Sequence, residues 1–168
     1  MKYLPFCFLL FCFLLLCACE VPDPPQPVNP EATQVAAAVD QFINAISTQD
    51  TTAFRDVMLP EGAAIALFTQ DGEPGYGWRM VDQDVAMLGG ATSPMLERVW
   101  EPEIRIDGML ASVWTRYDFY QDEAFSHCGT DAFHLVKTAA GWKIASIIYT
   151  IEPEAENCPV SPLGDPVF

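Results

Sequence analysis

Four polar side chains in the second half of the chain have the types and spacing for chemistry: Arg116, Asp118, His127 and Asp131. An imidazole beside a carboxylate can act as general base or acid, and a nearby guanidinium can stabilise an oxyanion. Whether they meet depends on strand pairing. Asp122-Glu123 reads as a hairpin turn, and pairing about it sets Asp118 opposite His127, Arg116 opposite Gly129 and Trp114 opposite Asp131. Phe133 and Leu135 continue that face, opposite Ser112 and Leu110, so Trp114, Phe125 and Phe133 surround the polar group. Cys128 and His134 point to the other face. The same residues equally suit a cross-strand ion-pair ladder or a polar floor that orients a ligand. A register slip of one residue would scatter them.

The elements that must position these groups form an antiparallel meander across residues 103–152. Its first strand, 101–106, closes on Asp107-Gly108, a strong two-residue hairpin signal. The second, 109–121, is rich in aromatic and β-branched residues, and the third spans 125–138. A tight turn at 139–141 leads into a fourth strand at 142–151. Strands of ten or more residues are about twice the usual length, which predicts a strongly twisted, curved sheet. A curved sheet has a concave face that something must cover.

The preceding segments suit that task. Asn29-Pro30-Glu31 combines an N-cap, a first-turn proline and an acid favourable to the helix dipole. Val35, Val39, Phe42, Ile43 and Ile46 then recur at helical spacing, predicting a helix over 30–48. Asp50 caps a shorter helix with Ala53, Phe54, Val57 and Met58 facing inward, ended by Leu59-Pro60-Glu61-Gly62. Residues 63–69 and 76–80 read as a short hairpin, and 81–88 as a third helix stopped by Gly89-Gly90. After Glu152 the proline-bearing tail is irregular.

Residues 1–18 read as a targeting segment, with Lys2 as its only charge and an apolar run at 4–16 too short for a membrane span of roughly 20 residues. The run ends in Leu16-Cys17-Ala18-Cys19, which resembles the lipobox of bacterial lipoproteins and implies lipidation of Cys19. An ordinary cleaved signal or an uncleaved anchor stays open beside it. Glu20 after the cysteine fits, by family analogy, sorting to an outer membrane, facing the periplasm. Residues 20–30 hold five prolines in eleven positions. With the lipidated cysteine they read as an extended tether, 19–30.

The domain beyond the tether, 31–152, with a tail at 153–168, is long enough to bury one core. The full chain carries a net charge of −15. That charge argues against nucleic-acid partners and against electrostatic binding to anionic lipid. Removing the targeting segment and the lipidated cysteine from the six cysteines leaves Cys128 and Cys158. In an oxidising compartment these are expected to pair, with two buried thiols as the alternative. No metal-ligand spacing and no glycine-rich phosphate loop precedes a helix, so no cofactor is expected.

The order helix, helix, short hairpin, helix, long antiparallel meander is an α+β pattern. Residues 106–117 (IDGMLASVWTRY) and 133–144 (FHLVKTAAGWKI) resemble the late strands of small bacterial members of the nuclear-transport-factor-2-like superfamily, which includes ketosteroid isomerase and the SnoaL-like cyclases. The resemblance covers roughly residues 32–150 and implies a cone in which N-terminal helices pack on a long, curved antiparallel sheet around a pocket. It specifies fold rather than function, and no catalytic motif transfers residue by residue.

The reading that follows is a lipid-anchored cell-envelope protein whose cone-shaped domain binds a small, partly apolar molecule, with Trp114, Arg116, Phe133 and Trp78 as ligand-contacting candidates. Trp78 and Arg79 can cover the pocket mouth, although core packing is the default for Trp78. Tyr149 lies on a strand with two apolar faces, so its side is not assigned. One alternative is a proton-transfer enzyme, isomerase- or cyclase-like, using Asp118, His127 and Asp131. The other is a sheet that mediates homodimerisation or docks a partner.

Overall fold

The computed structural model describes residues 29–168. The expected targeting segment, the Cys19 lipidation site and all of the tether before Asn29 lie outside the described residues. Among the described residues no helix is long and apolar enough to cross a membrane.

Helix α1 spans Pro30–Thr48. The Asn29 side chain accepts a hydrogen bond from the Glu31 amide, and Pro30 occupies the first turn, as the sequence implies. Gln49 ends the helix in the left-handed region (φ 57°), its amide returning to the Ala45 and Ile46 carbonyls. Asp50 caps α2 (Thr51–Val57), accepting from the Thr52 and Ala53 amides. Strands β1 (Met58–Gln70) and β2 (Glu73–Met80) form a hairpin, and α3 (Val81–Gly90) follows directly. The long strands β3 (Met95–Asp107), β4 (Leu110–Gln121), β5 (Ala124–Thr138) and β6 (Gly141–Thr150) complete the chain before a short 3₁₀ turn at Ala155–Asn157.

The six strands form one sheet in the order β2-β1-β6-β5-β4-β3. Every pairing is antiparallel except that of β1 with β6. The helices cover one face. Phe42 of α1 stands edge-on to Phe133 of β5 at 5.5 Å and leans on Phe54 of α2 at 5.0 Å. Val35, Val39, Leu135, Ile144 and Ile147 extend this core. The result is an α+β cone of helices on a long curved sheet.

Three departures from expectation bear on the site. The segment 59–62 does not end α2 as a turn but opens β1, which pairs irregularly with β6 between Met58 and Ala63. Strand β3 begins at Met95, six residues before the expected start at Glu101, and Glu101 itself sits in a bulge with φ 55°. The third departure is a bulge in the β4–β5 hairpin. Tyr120 pairs with Phe125 and Gln121 with Ala124, as the 122–123 turn demands, but the next pair is Phe119 with His127. Ser126 is the extra residue, and every pair beyond it is displaced by one.

The tail straps the outer face of the sheet. Cys128 and Cys158 form a disulfide across 30 residues, and Cys128 also pairs with Glu152 through the backbone. Farther along, Arg98 donates to the Gly164 carbonyl at 2.8 Å and Phe168 packs edge-on to Tyr120. A closed loop of this length stabilises by about 3 kcal/mol through restriction of the unfolded chain.

Candidate functional site

Because side chains alternate along a strand, the Ser126 bulge reverses which residues of β4 share a face with β5. His127, Asp131 and Phe133 lie on the inner face, opposite Phe119, Thr115 and Val113. Asp118, Arg116 and Trp114 lie on the outer face, opposite Cys128, Thr130 and Ala132. The expected cluster is therefore split: Asp118 does not face His127, and neither Arg116 nor Trp114 reaches Asp131. Ser112 and Leu110 likewise pair with His134 and Val136 instead of Phe133 and Leu135.

Each displaced residue has another role. Asp118 is 5 % exposed and takes a two-point ion pair from Arg98, Nε to Oδ1 at 2.8 Å and Nη2 to Oδ2 at 2.5 Å. Arg116 donates to the Thr130 hydroxyl at 2.9 Å. Trp114 is 55 % exposed, beside a second depression of about 590 Å³ that Glu103 and Arg105 also flank. Trp78 is 58 % exposed on the outer side of β2, its indole N–H toward the Met80 sulfur at 3.4 Å. Phe133 is on the inner face but wholly buried under Phe42, in the core. The Cys128–Cys158 bond is formed.

The inner face encloses a cavity of about 520 Å³ between the sheet and the three helices. Helices α1 and α2 contribute Phe42, Ile46 and Phe54, and α3 contributes Met87, Leu88 and Asp84. From the sheet come Arg79, Glu97, Tyr117, Phe119, His127, Asp131 and Tyr149. His127 and Asp131 were legible in the sequence as one face. Glu97 and Asp84 were not; Arg79 was expected at the pocket mouth, and Tyr149 was named without a side.

The polar groups fall into two sets. On one side the Arg79 guanidinium is held by Asp84 through a close ion pair and donates to the Tyr149 hydroxyl at 2.8 Å. Asp84 keeps one oxygen, Oδ2, buried without a hydrogen-bond partner. On the other side lie Glu97 and Asp131. Asp131 is 1 % exposed, and its Oδ2 is also without a partner. Burial, and after it the charge of Glu97, holds its carboxyl well above the usual range. The Glu97 carboxyl is pushed up to about 8, first by burial and then by the charge of Asp118. Both acids thus favour the protonated state at neutral pH.

Of the neighbouring rings, Tyr117 is buried, and Phe119 and His127 are partly so. Tyr117 donates its hydroxyl to the Thr150 carbonyl at 2.7 Å, and burial, then the charges of Asp131 and Glu97, resists its ionisation. That geometry requires Gly129, since a Cβ there would fall 2.0 Å from the Thr150 oxygen. Burial lowers the His127 pKa, keeping the ring neutral. It lies against Phe119 at 5.0 Å, with Nδ1 at 2.9 Å from the Ser126 hydroxyl. Among the described residues no three His, Cys, Asp or Glu side chains converge as metal ligands. Chemically, the wall offers protonated carboxyls that can donate a hydrogen bond or exchange a proton, an anchored guanidinium, and an apolar enclosure.

No family model matches the chain, and no curated protein matches it. Solved structures do. A nuclear-transport-factor-2-like protein of unknown function from Shewanella baltica is 18 % identical, with a TM-score of 0.55 over 74 % of this chain and 95 % of that one. A superfamily protein of the same kind from Salmonella enterica is 16 % identical, with a TM-score of 0.60 over 74 % and 93 %. A third, from Novosphingobium aromaticivorans and described as having a cystatin-like fold, is 11 % identical, with a TM-score of 0.59 over 75 % and 85 %. The domain therefore has the nuclear-transport-factor-2-like, or cystatin-like, fold. At these identities the likeness extends to the fold and no further.

Proposed function

We propose that this chain is a lipid-anchored envelope protein whose domain holds a small, largely apolar molecule in the inner cavity. The observation that carries the reading is Asp131 Oδ2, a buried, unpartnered oxygen on the wall of a cavity lined by both apolar and polar side chains. A buried acceptor left without a partner costs about 1–3 kcal/mol, and a ligand is one way to offset it. The anchor rests on the Leu16-Cys17-Ala18-Cys19 sequence, and the disulfide supports an oxidising compartment. Native mass spectrometry of residues 20–168, secreted to such a compartment, tests the pocket: mass that disappears on denaturation is the expected result. For the anchor, Cys19→Ala should remove acyl mass from the membrane-extracted protein; unchanged mass would refute lipidation.

Proton-transfer catalysis is a second reading, favoured by the raised carboxyls of Glu97 and Asp131. In it Asp131 exchanges the proton and His127 orients the substrate, while Asp118, on the far face, takes no part. Once a ligand is identified, His127→Gln should keep it bound and abolish any turnover. Pairing of two copies through the outer sheet face is a third reading. It is favoured by the exposed side chains of Trp114, Trp78 and Leu67 on that face. A strictly monomeric sedimentation profile at micromolar concentration would exclude it.

A further inference from the structure

The hydrogen-bonding inventory of the cavity is lopsided, and the imbalance says what kind of molecule it can hold. Its wall has three carboxyl side chains, Asp84, Glu97 and Asp131, and one cationic side chain, Arg79. That guanidinium is already engaged by Asp84 and Tyr149. The Tyr117 hydroxyl is committed to the Thr150 carbonyl, and the neutral His127 ring has its Nδ1 on Ser126. Acceptors are left over instead. Asp84 Oδ2 and Asp131 Oδ2 are both buried without a donor. A carboxylate or phosphate ligand would therefore find no uncommitted cationic side chain on this wall, only neutral donors: the protonated carboxyls, the Gln121 amide and the second nitrogen of His127. A ligand that brings its own N–H donors and a positive charge would pair the orphan oxygen of Asp131, beside Glu97 and away from the Arg79 guanidinium.

The rest of the wall fits the other half of such a molecule. Phe42, Phe54, Phe119, Leu88 and Met95 offer apolar and aromatic surface, which receives a hydrocarbon body and favours a cation near ring faces. The acidic surface of the chain, net −15, also raises the local concentration of cations. We infer that the ligand of this cavity is a protonated primary or secondary amine with an apolar, partly aromatic body, its ammonium seated at Asp131 and Glu97. The inference rests on the pocket reading above and specifies its ligand class.

Burial keeps Asp131 and Glu97 protonated in the free domain. An ammonium ion entering beside them favours the ionised form, so a carboxyl proton passes to solvent as the ligand binds. Facing Asp131 and Glu97 are Arg79 and Asp84 from β2 and α3, His127, Tyr117 and Tyr149; α1 and α2 add only apolar side chains. Affinity for an amine therefore rises with pH toward about 8, the value to which Glu97 is raised, and is weakest in acid.

Calorimetry with three isosteric probes on residues 20–168 tests this: 3-phenylpropylamine, 3-phenylpropanol and 3-phenylpropionate. The amine is expected to bind at least about tenfold more tightly than the alcohol at pH 7.5, with the carboxylate weakest. Its heat should depend on the buffer's ionisation enthalpy, reporting proton release. Asp131→Asn should bring amine and alcohol within about twofold, and Glu97→Gln should flatten the pH profile without unfolding the domain. An alcohol or carboxylate that binds as tightly as the amine, or amine binding without proton release, overturns the cation assignment and leaves the pocket standing. Failure of all three probes, with a clean apo mass, overturns the pocket reading as well.

Discussion

The two faces of the sheet treat their acidic residues in opposite ways. On the outer face Asp118 is buried but fully answered: Arg98 grips both its oxygens, and the Gly164 carbonyl and Phe168 of the tail close over that corner. On the inner face Asp131 is equally buried, carries an unpartnered oxygen and has Glu97 nearby instead of an arginine. A paired buried acid serves the fold, whereas an unpaired one costs stability that the fold does not recover. The difference locates the place where this domain gives up stability for something else.

The contrast is broken most directly by removing each acid. Asp118→Ala strands the Arg98 guanidinium and should cost about 3–5 kcal/mol, read as a lower denaturant midpoint at unchanged slope. A loss below about 1 kcal/mol would mean that the outer pair contributes no more than an exposed ion pair. Next in size is the outer-face strap. Cys158→Ser should lower stability by about 3 kcal/mol, and a reducing agent should reproduce the loss in the parent but not in the variant.

The inner acids should write themselves into the pH dependence of stability. Glu97 has a folded pKa near 8 against an ordinary value of 4.5, so the folded chain holds a proton that the unfolded chain has lost across that window. Stability is therefore fullest in mild acid and falls as pH rises from about 4.5 to 8, with Asp131 adding in the same direction. Thermal melts across this range check it, and Glu97→Gln should reduce the slope. Smaller still is Asp131→Asn, expected to raise stability by about 1 kcal/mol at pH 8 because the folded chain no longer has to retain a carboxyl proton that the unfolded chain has lost. Destabilisation by that change would mean that Asp131 has a partner in solution, and would erase the contrast between the faces. The smallest effect is Trp114→Thr, within about 0.5 kcal/mol for a residue more than half exposed on the outer face. A larger loss that grows with protein concentration would point to pairing of copies through this face.

How far the sequence could be read depended on how local each signal was. Asn29, Pro30 and Asp50 predicted their caps because a cap is settled within three residues, and the α1 stripe from Val35 to Ile46 needed only its own periodicity. The 122–123 turn was equally local, and the pairs beside it formed as read. The error entered at Ser126, an ordinary serine with no glycine or proline to mark a bulge, and one extra residue moved Asp118, Arg116 and Trp114 to the far face while leaving His127 and Asp131 inside. Glu97 was missed for a related reason. Residues 95–99 are half-buried on both faces, so no alternation announces a strand.

By itself the sequence determined the helices, the caps of α1 and α2, the turns at 107–108 and 122–123 and the α+β order, since each follows from short-range geometry. The cone came from the resemblance of two strand segments to a known fold, and the cysteine pair from an expected targeting segment that lies outside the described residues. Only the tertiary structure decided which acids share a cavity and which find an arginine. Arg98 meets Asp118 across 20 residues, Arg79 meets Tyr149 across 70, and Glu97 comes within reach of Asp131 from another strand. Those encounters depend on strand register summed over several bulges, and a register error of one residue exchanges the two faces of a strand.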